Sequence, residues 1–341
     1  MKKWLLGRTP QEISKITDSL SLPSFAAKQI INWLYVKKVS SIEQMTNLSK
    51  SAREALSVDY EVGGFAPLTD TLSTDGTRKY LFPSLNGANI ESVMIPDLER
   101  ATLCISSQSG CKMGCKFCMT GRMGFSANLT AGEIISQIIN VQESDRLTNV
   151  VFMGMGEPLD NYKEVLKSTV ILTSDWGFGW SPKRITISTI GVHTALKDFL
   201  DNSKCHLAVS LHNPFDSERA QMVPAQKAWP IEKTVELIKE YDFSGQRRVS
   251  FEYIMFSGWN DNKRHADALT RMLRGLECRV NLIRFHEIPD FPLKCSPDLL
   301  MEKFKERLHN GGVIATIRAS RGEDILAACG MLSTSKQNSK F

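Results

Sequence analysis

The alternation of apolar and polar residues divides the chain into three stretches. Over residues 1–60 the apolar positions recur at helical spacing: "TPQEISKITDSL" opens on a Thr cap with Glu three residues on. "SFAAKQIINWLYVKK" carries a stripe through Ile30, Ile31, Trp33, Leu34 and Val36. A small helical unit is expected there. Over 61–96 the period falls to two: "LTDTLST" and "RKYLFPS" flank Asp75-Gly76, a hairpin signal, and "ANIESVMIP" follows as a short β connector. From residue 97 short apolar runs ("ATLCISS", "NVVFMGM", "RITIST", "HLAVSL", "RVSFEYIM", "RVNLIRF") alternate with amphipathic segments such as "NYKEVLKSTVILTS", before a last strand "VIATIRAS". Strand–helix repeats of this kind predict an α/β fold, a partial (β/α)6 barrel over 97–332, with its site at the carboxyl ends of the strands. Residues 333–341 read as a polar tail.

Composition narrows the class. With 341 residues and 42% hydrophobic content the chain buries a full core. The apolar run in "MKKWLLGRTPQE" stops too early for a signal peptide, and no stretch approaches the roughly 20 apolar residues of a membrane helix. A cytoplasmic protein without membrane association is expected. In that reducing setting the eight cysteines point to metal or thiol chemistry rather than a disulfide framework. The net charge of +5 permits a polyanionic partner without demanding one.

The cysteines concentrate in "CKMGCKFCMTG", where Cys111, Cys115 and Cys118 follow the first barrel strand. A closed zinc site wants four ligands, and Cys104 is the nearest further thiol, so a four-cysteine zinc site in an RNA-binding protein fits these residues. Three thiolates on a 4Fe-4S cluster would instead leave one iron open for a cofactor. Cys205, Cys278 and Cys295 read as small core residues.

The C-x3-C-x2-C spacing at the first strand–helix loop resembles the radical S-adenosylmethionine (SAM) enzymes. The resemblance implies a radical SAM barrel with one 4Fe-4S cluster on Cys111, Cys115 and Cys118, whose open iron chelates SAM and cleaves it to a 5′-deoxyadenosyl radical. "MGMGEP" contributes Gly156 and Glu157, "ITISTIG" Ser188, and "AVSLHNP" Ser210, Leu211 and His212 as expected cofactor contacts. "RFHEIPD" puts His286 where the narrower family usually has Asn, so a side-chain contact there would use imidazole in place of amide.

That narrower family is carried by "CISSQSGCKMGCKFC", "FMGMGEPL", "STIGV", "SLH" and "RGEDILAACG", which are very similar to the RlmN/Cfr RNA adenosine methyltransferases over nearly the whole chain. The resemblance implies that Cys329 carries the methyl group, Cys104 resolves a covalent RNA intermediate by forming a disulfide with Cys329, and Glu91 in "ESVMIP" is the proton-abstracting base. Two SAM molecules would be used per turnover. The implied partners are 23S rRNA, at an adenosine of the peptidyl-transferase region, tRNA, at the adenosine 3′ of the anticodon, and a reducing electron donor such as flavodoxin; the expected state is a monomer. Pro158 and Arg321 resemble the RlmN branch, which methylates C2, more than the Cfr branch, which methylates mainly C8. For RNA phosphates the candidates near strand ends are Lys183, Arg184, Arg247, Arg248, Arg318 and Arg321, and the helical unit over 1–60 is a candidate docking surface with Trp33 in its core.

Overall fold

The computed structural model describes residues 2–245 and 247–333. The polar tail expected over 333–341 lies, past Ser333, outside the described residues.

Helix α1 (Pro10–Ser19) starts where the sequence predicts: Thr9 and Glu12 form a reciprocal capping box, with Pro10 in the first turn. Helix α2 (Phe25–Ile31) runs into a π-helical turn over Asn32–Val36. That wider turn rotates the expected stripe: Tyr35 is buried and its hydroxyl donates to Arg8 O at 2.6 Å, whereas Val36 is exposed. Trp33 is half-buried against the core. Helix α3 (Lys50–Asp59) completes the unit, and Lys3–Trp4 pairs in parallel with Tyr60–Glu61.

The largest sheet among the described residues has ten strands. Three antiparallel strands, β1 (Thr69–Leu72), β2 (Arg78–Pro83) and β3 (Asn89–Asp97), lie at one edge, and β3 pairs antiparallel with β4 (Arg100–Cys104). The expected connector strands thus extend the barrel sheet itself. From β4 onward neighbours are parallel and in chain order: β5 (Asn149–Phe152), β6 (Ile185–Thr189), β7 (His206–Ser210), β8 (Val249–Met255), β9 (Cys278–Arg284) and β10 (Ile314–Ile317). Intervening helices cover the sheet, as consecutive βαβ crossovers require. Their starts are locally encoded; α5 (Ala131–Ile139, following the short α4, Met119–Met123) opens with a Thr130–Glu133 capping box. Alternate residues of the parallel strands form the core: Ile185, Ile187, Leu207, Val209, Phe251 and Tyr253 are all essentially inaccessible.

Candidate functional site

A cavity of about 490 Å³ opens at the carboxyl ends of the parallel strands. Cys104, at the end of β4, shares its wall with Cys111, Cys115, Cys118 and Cys329. The three clustered thiols stand on the loop between β4 and α4, which is shaped by close backbone approaches. Gly110, at φ +78°, would put a Cβ 2.0 Å from Gly124 O, and a Cβ on Gly121 of α4 would lie 2.9 Å from Cys115 N. Beneath the loop lies a separate apolar cluster including Met113, Phe117, Ile190, Val223, Ile254 and Phe256. Phe117 meets the His212 ring edge-on at 5.0 Å between centroids.

Desolvation by this apolar bed pushes the Cys111 thiol up to about 12, and Cys115 and Cys118 are also raised. Mutual repulsion adds to the shift of Cys111 and of Cys115, so the thiols sit near one another. Left alone they stay neutral; a cationic soft-metal group would draw them into the thiolate form. Among the described residues no three His, Cys, Asp or Glu side chains converge on a single ion. Three sulfurs lining one shared cavity suit a multi-iron cluster, which does not need them to converge on a single ion.

Of the expected cofactor contacts, Gly156, Glu157, Ser188, Ser210, His212 and His286 line the cavity. Gly156 adopts φ +100°, and a Cβ there would fall 2.5 Å from Gln108 Cβ. Glu157 is buried; its carboxylate accepts from Leu159 N at 3.1 Å and Ile190 N at 3.0 Å, and burial still pushes it up to about 7. His212, in a left-handed conformation at φ 57°, accepts from Ile254 N at Nδ1, and burial holds it down at about 3. His286 faces Ser320 Oγ at 3.2 Å. Leu211 is fully buried and not on the wall; its carbonyl accepts from Arg219 Nε at 2.9 Å.

Cys104 is buried, and desolvation followed by repulsion from Cys329 pushes it up to about 12. Cys329 is exposed into the cavity but walled by protein, which raises it to about 11, while Arg318 pulls the other way. Glu91, on β3, is buried outside the cavity wall: Lys79 Nζ lies 3.3 Å from Oε1, and Ser333 N donates to Oε2 at 2.9 Å.

Two residues escaped the sequence reading. Arg219 is 1% exposed and donates to the carbonyls of Ser210, Leu211 and Ile190 and to Gln226 Oε1, tying the ends of β6 and β7 together. Glu252 stands on the cavity wall within β8, held by Asn281 Nδ2 at 2.8 Å and facing Arg318 at 3.4 Å. A lone acid inside the apolar run "RVSFEYIM" was the available signal for Glu252; "DSERAQM" offered none for Arg219. Of the candidate RNA cations, Arg318 and Arg321 line the cavity. Lys183, Arg184, Arg247 and Arg248 precede β6 and β8, at the opposite ends of the strands. Arg247 is buried with its Nη1 on Leu200 O at 2.9 Å. Cys205 is buried, and Cys278 and Cys295 are half-buried.

A cysteine-lined cavity at the open ends of a partial barrel defines a radical SAM enzyme, and the radical SAM superfamily model matches residues 105–269. The model of the ribosomal RNA large subunit methyltransferase N-terminal domain matches 4–62. A Bacteroides thetaiotaomicron protein named as a probable dual-specificity RNA methyltransferase RlmN is 58% identical over 333 residues, spanning 98% of this chain and 96% of its own. A Syntrophus aciditrophicus protein named as a dual-specificity RNA methyltransferase RlmN is 42% identical, spanning 95% of this chain and 94% of its own. The crystal structure of a radical SAM methyltransferase from Sphaerobacter thermophilus superposes with a TM-score of 0.90 at 37% identity, covering 96% of this chain and 98% of that one. The chain belongs to the RlmN family of radical SAM RNA methyltransferases. As a member of the radical SAM superfamily it uses a 4Fe-4S cluster and SAM, and no helix among the described residues is long and apolar enough to cross a membrane.

Proposed function

We propose that this protein methylates C2 of an adenosine in 23S rRNA and in tRNA, with Cys329 as methyl carrier, Cys104 as resolving thiol and Glu91 as base. The observation that carries the reading is the sharing of one cavity by Cys329, Cys104 and the three clustered cysteines. Adenine C2 lies between two ring nitrogens, is electron-poor and has no lone pair, so direct displacement on a methyl donor fails there. A protein sulfur that first receives the methyl group removes this obstacle. When bound, the cluster and SAM supply the methyl group and a carbon radical able to remove hydrogen from it.

Cys111, Cys115 and Cys118 would hold the cluster. Gly156 would let the cofactor approach the backbone, and Glu157, Ser188, Ser210, His212 and His286 would offer polar contacts to SAM, two molecules per turnover; Leu211 would act by fixing its neighbours. Cys329 sulfur would bond the methyl carbon; once one hydrogen has been removed from that methyl group its carbon would bond C2, and the adduct would give up one electron, for which the oxidised cluster is the acceptor at hand. Glu91 takes the C2 proton from this adduct, which requires its carboxylate to exchange the Ser333 N–H for substrate. Cys104 then attacks Cys329 sulfur: an S–S bond forms, the C–S bond breaks, and the electron pair released on carbon takes a proton as methylated RNA departs. Cytosolic thiols return two electrons to the disulfide. An electron donor of flavodoxin type, a monomeric state and cytoplasmic residence complete the proposal.

The test is the Cys104→Ala variant, purified anoxically from cells and analysed by nuclease digestion and peptide mass spectrometry. An adenosine adduct on Cys329 is expected; its flanking nucleotides identify rRNA or tRNA, and its linkage separates C2 from C8. A folded, cluster-loaded variant carrying neither adduct nor methyl on Cys329 would refute the reading.

A further inference from the structure

The segment that carries Cys329 is fastened at both sides. On its carboxyl side Gly330 O accepts from Met119 N at 2.8 Å and Leu332 O accepts from Thr120 Oγ1 at 2.7 Å, so it is tied to the helix that follows Cys118. On its amino side it meets the β1–β2 turn through a reciprocal pair of carboxylates. Asp324, in the segment, accepts from Ser73 Oγ at 2.6 Å and Thr74 N at 3.1 Å; Asp75, in the turn, accepts from Gly322 N at 3.0 Å and Thr77 N at 2.8 Å. The fit is close: Gly322 adopts φ +64°, and a Cβ there would lie 2.9 Å from Thr77 Cγ2.

We propose that Asp75 and Asp324 are positioning residues, a clamp through which the β1–β2 turn holds Cys329 against Cys104. The inference rests on the thiol pair of the proposed function. Charge-assisted hydrogen bonds to backbone N–H groups are strong for their size, and they fix a segment that otherwise leaves the sheet after β10. Holding two thiols in place raises their effective concentration for one another. The disulfide between Cys104 and Cys329 forms as an oxidant such as glutathione disulfide is reduced to two glutathiones, so its equilibrium reads that concentration directly.

Asp75→Asn is the sharper substitution: the two carboxylate oxygens accept from different backbone N–H groups, and the amide nitrogen that replaces one of them cannot accept. Asp324→Ala removes the other half. Cluster-loaded, full-length protein would be equilibrated anoxically in glutathione buffers of graded ratio, and the Cys104–Cys329 disulfide quantified by peptide mass spectrometry. Each variant is expected to shift the equilibrium about tenfold toward the thiols, equivalent to about 30 mV. The thermal midpoint should fall by no more than a few degrees, leaving the protein fully folded in the assay, and Asp145→Asn, which removes one exposed charge elsewhere, should change nothing. If Asp324→Ala fails to fold, Ser73→Ala, which deletes one donor to the same carboxylate, should give a shift of about threefold. Wild-type equilibria in Asp75→Asn and in whichever second variant folds would overturn the clamp. The Cys104→Ala digest keeps the two readings apart: neither adduct nor methyl on Cys329 there, with shifted variants here, refutes the methyl carrier alone, and an adduct there with unshifted variants here refutes the clamp alone.

Discussion

Arg184 and Arg318 stand at opposite ends of the same sheet. Arg184, just before β6, sends its guanidinium to Thr148 O at 2.5 Å and to Leu147 O, and lies 4.1 Å above the Trp180 ring. Arg318, just after β10, faces Glu252 Oε2 at 3.4 Å and borders the cavity with nearly half its side chain exposed. At the amino end of β6 the cation is absorbed in closing carbonyls of the preceding loop that the sheet leaves open. At the carboxyl ends the strands diverge around a cavity, so polar groups face space. Residue type alone does not separate these fates; position along the strand does.

The comparison breaks most visibly through Cys329→Ala, which is expected to lower RNA methylation by at least about a thousandfold, measured by mass spectrometry of digested RNA with cluster content held equal. Activity within tenfold of wild type would mean that the cavity works without its thiol. Next is Gly156→Ala at the carboxyl end of β5: a left-handed φ together with a 2.5 Å approach to Gln108 Cβ should cost about 2–4 kcal/mol, seen in urea unfolding, and displace Glu157 from the wall.

The pH response sharpens the comparison further, because two buried groups at the cavity titrate in opposite senses. His212 is held at about 3 against an ordinary 6.5, so the unfolded chain binds the extra proton and this group makes stability fall as pH drops from about 6.5 to about 3. Glu157 is raised to about 7 from 4.5, so the folded chain keeps the proton and stability falls as pH rises through that window. Between about 4.5 and 6.5 the two slopes oppose each other. His212→Gln removes one of them, so the stability of the variant relative to wild type should fall by about 1.4 kcal/mol for each unit of rising pH in that range; a constant difference would show that His212 does not titrate as its burial requires. The smallest effect belongs to the other end of the strands. Arg184→Ala should lower stability by about 1–2 kcal/mol through its lost carbonyl contacts and leave RNA affinity within about twofold, measured by filter binding; a large loss of affinity would make that end an RNA surface after all.

Local features carried much of this in the sequence. The Thr9–Glu12 and Thr130–Glu133 boxes, the Asp75-Gly76 turn and the strand–helix alternation are encoded within a few residues, because capping, turn geometry and periodicity are short-range. The three clustered cysteines were equally legible, since their ligand spacing is itself local. The π-turn that rotates Val36 outward was not, because it is settled by packing of Tyr35 against Arg8.

What the sequence determined by itself was therefore the alphabet of the site: which strands end in which side chains, and that thiols gather after the first of them. Only the tertiary structure decided that the connector hairpin joins the barrel sheet, that Arg219 is buried beneath two strand ends, that four basic residues lie at the amino ends of the strands, and that Asp75 meets a segment 247 residues away. Those outcomes depend on contacts between distant parts of the chain, formed when burying apolar surface brings the elements together, and no local pattern records them.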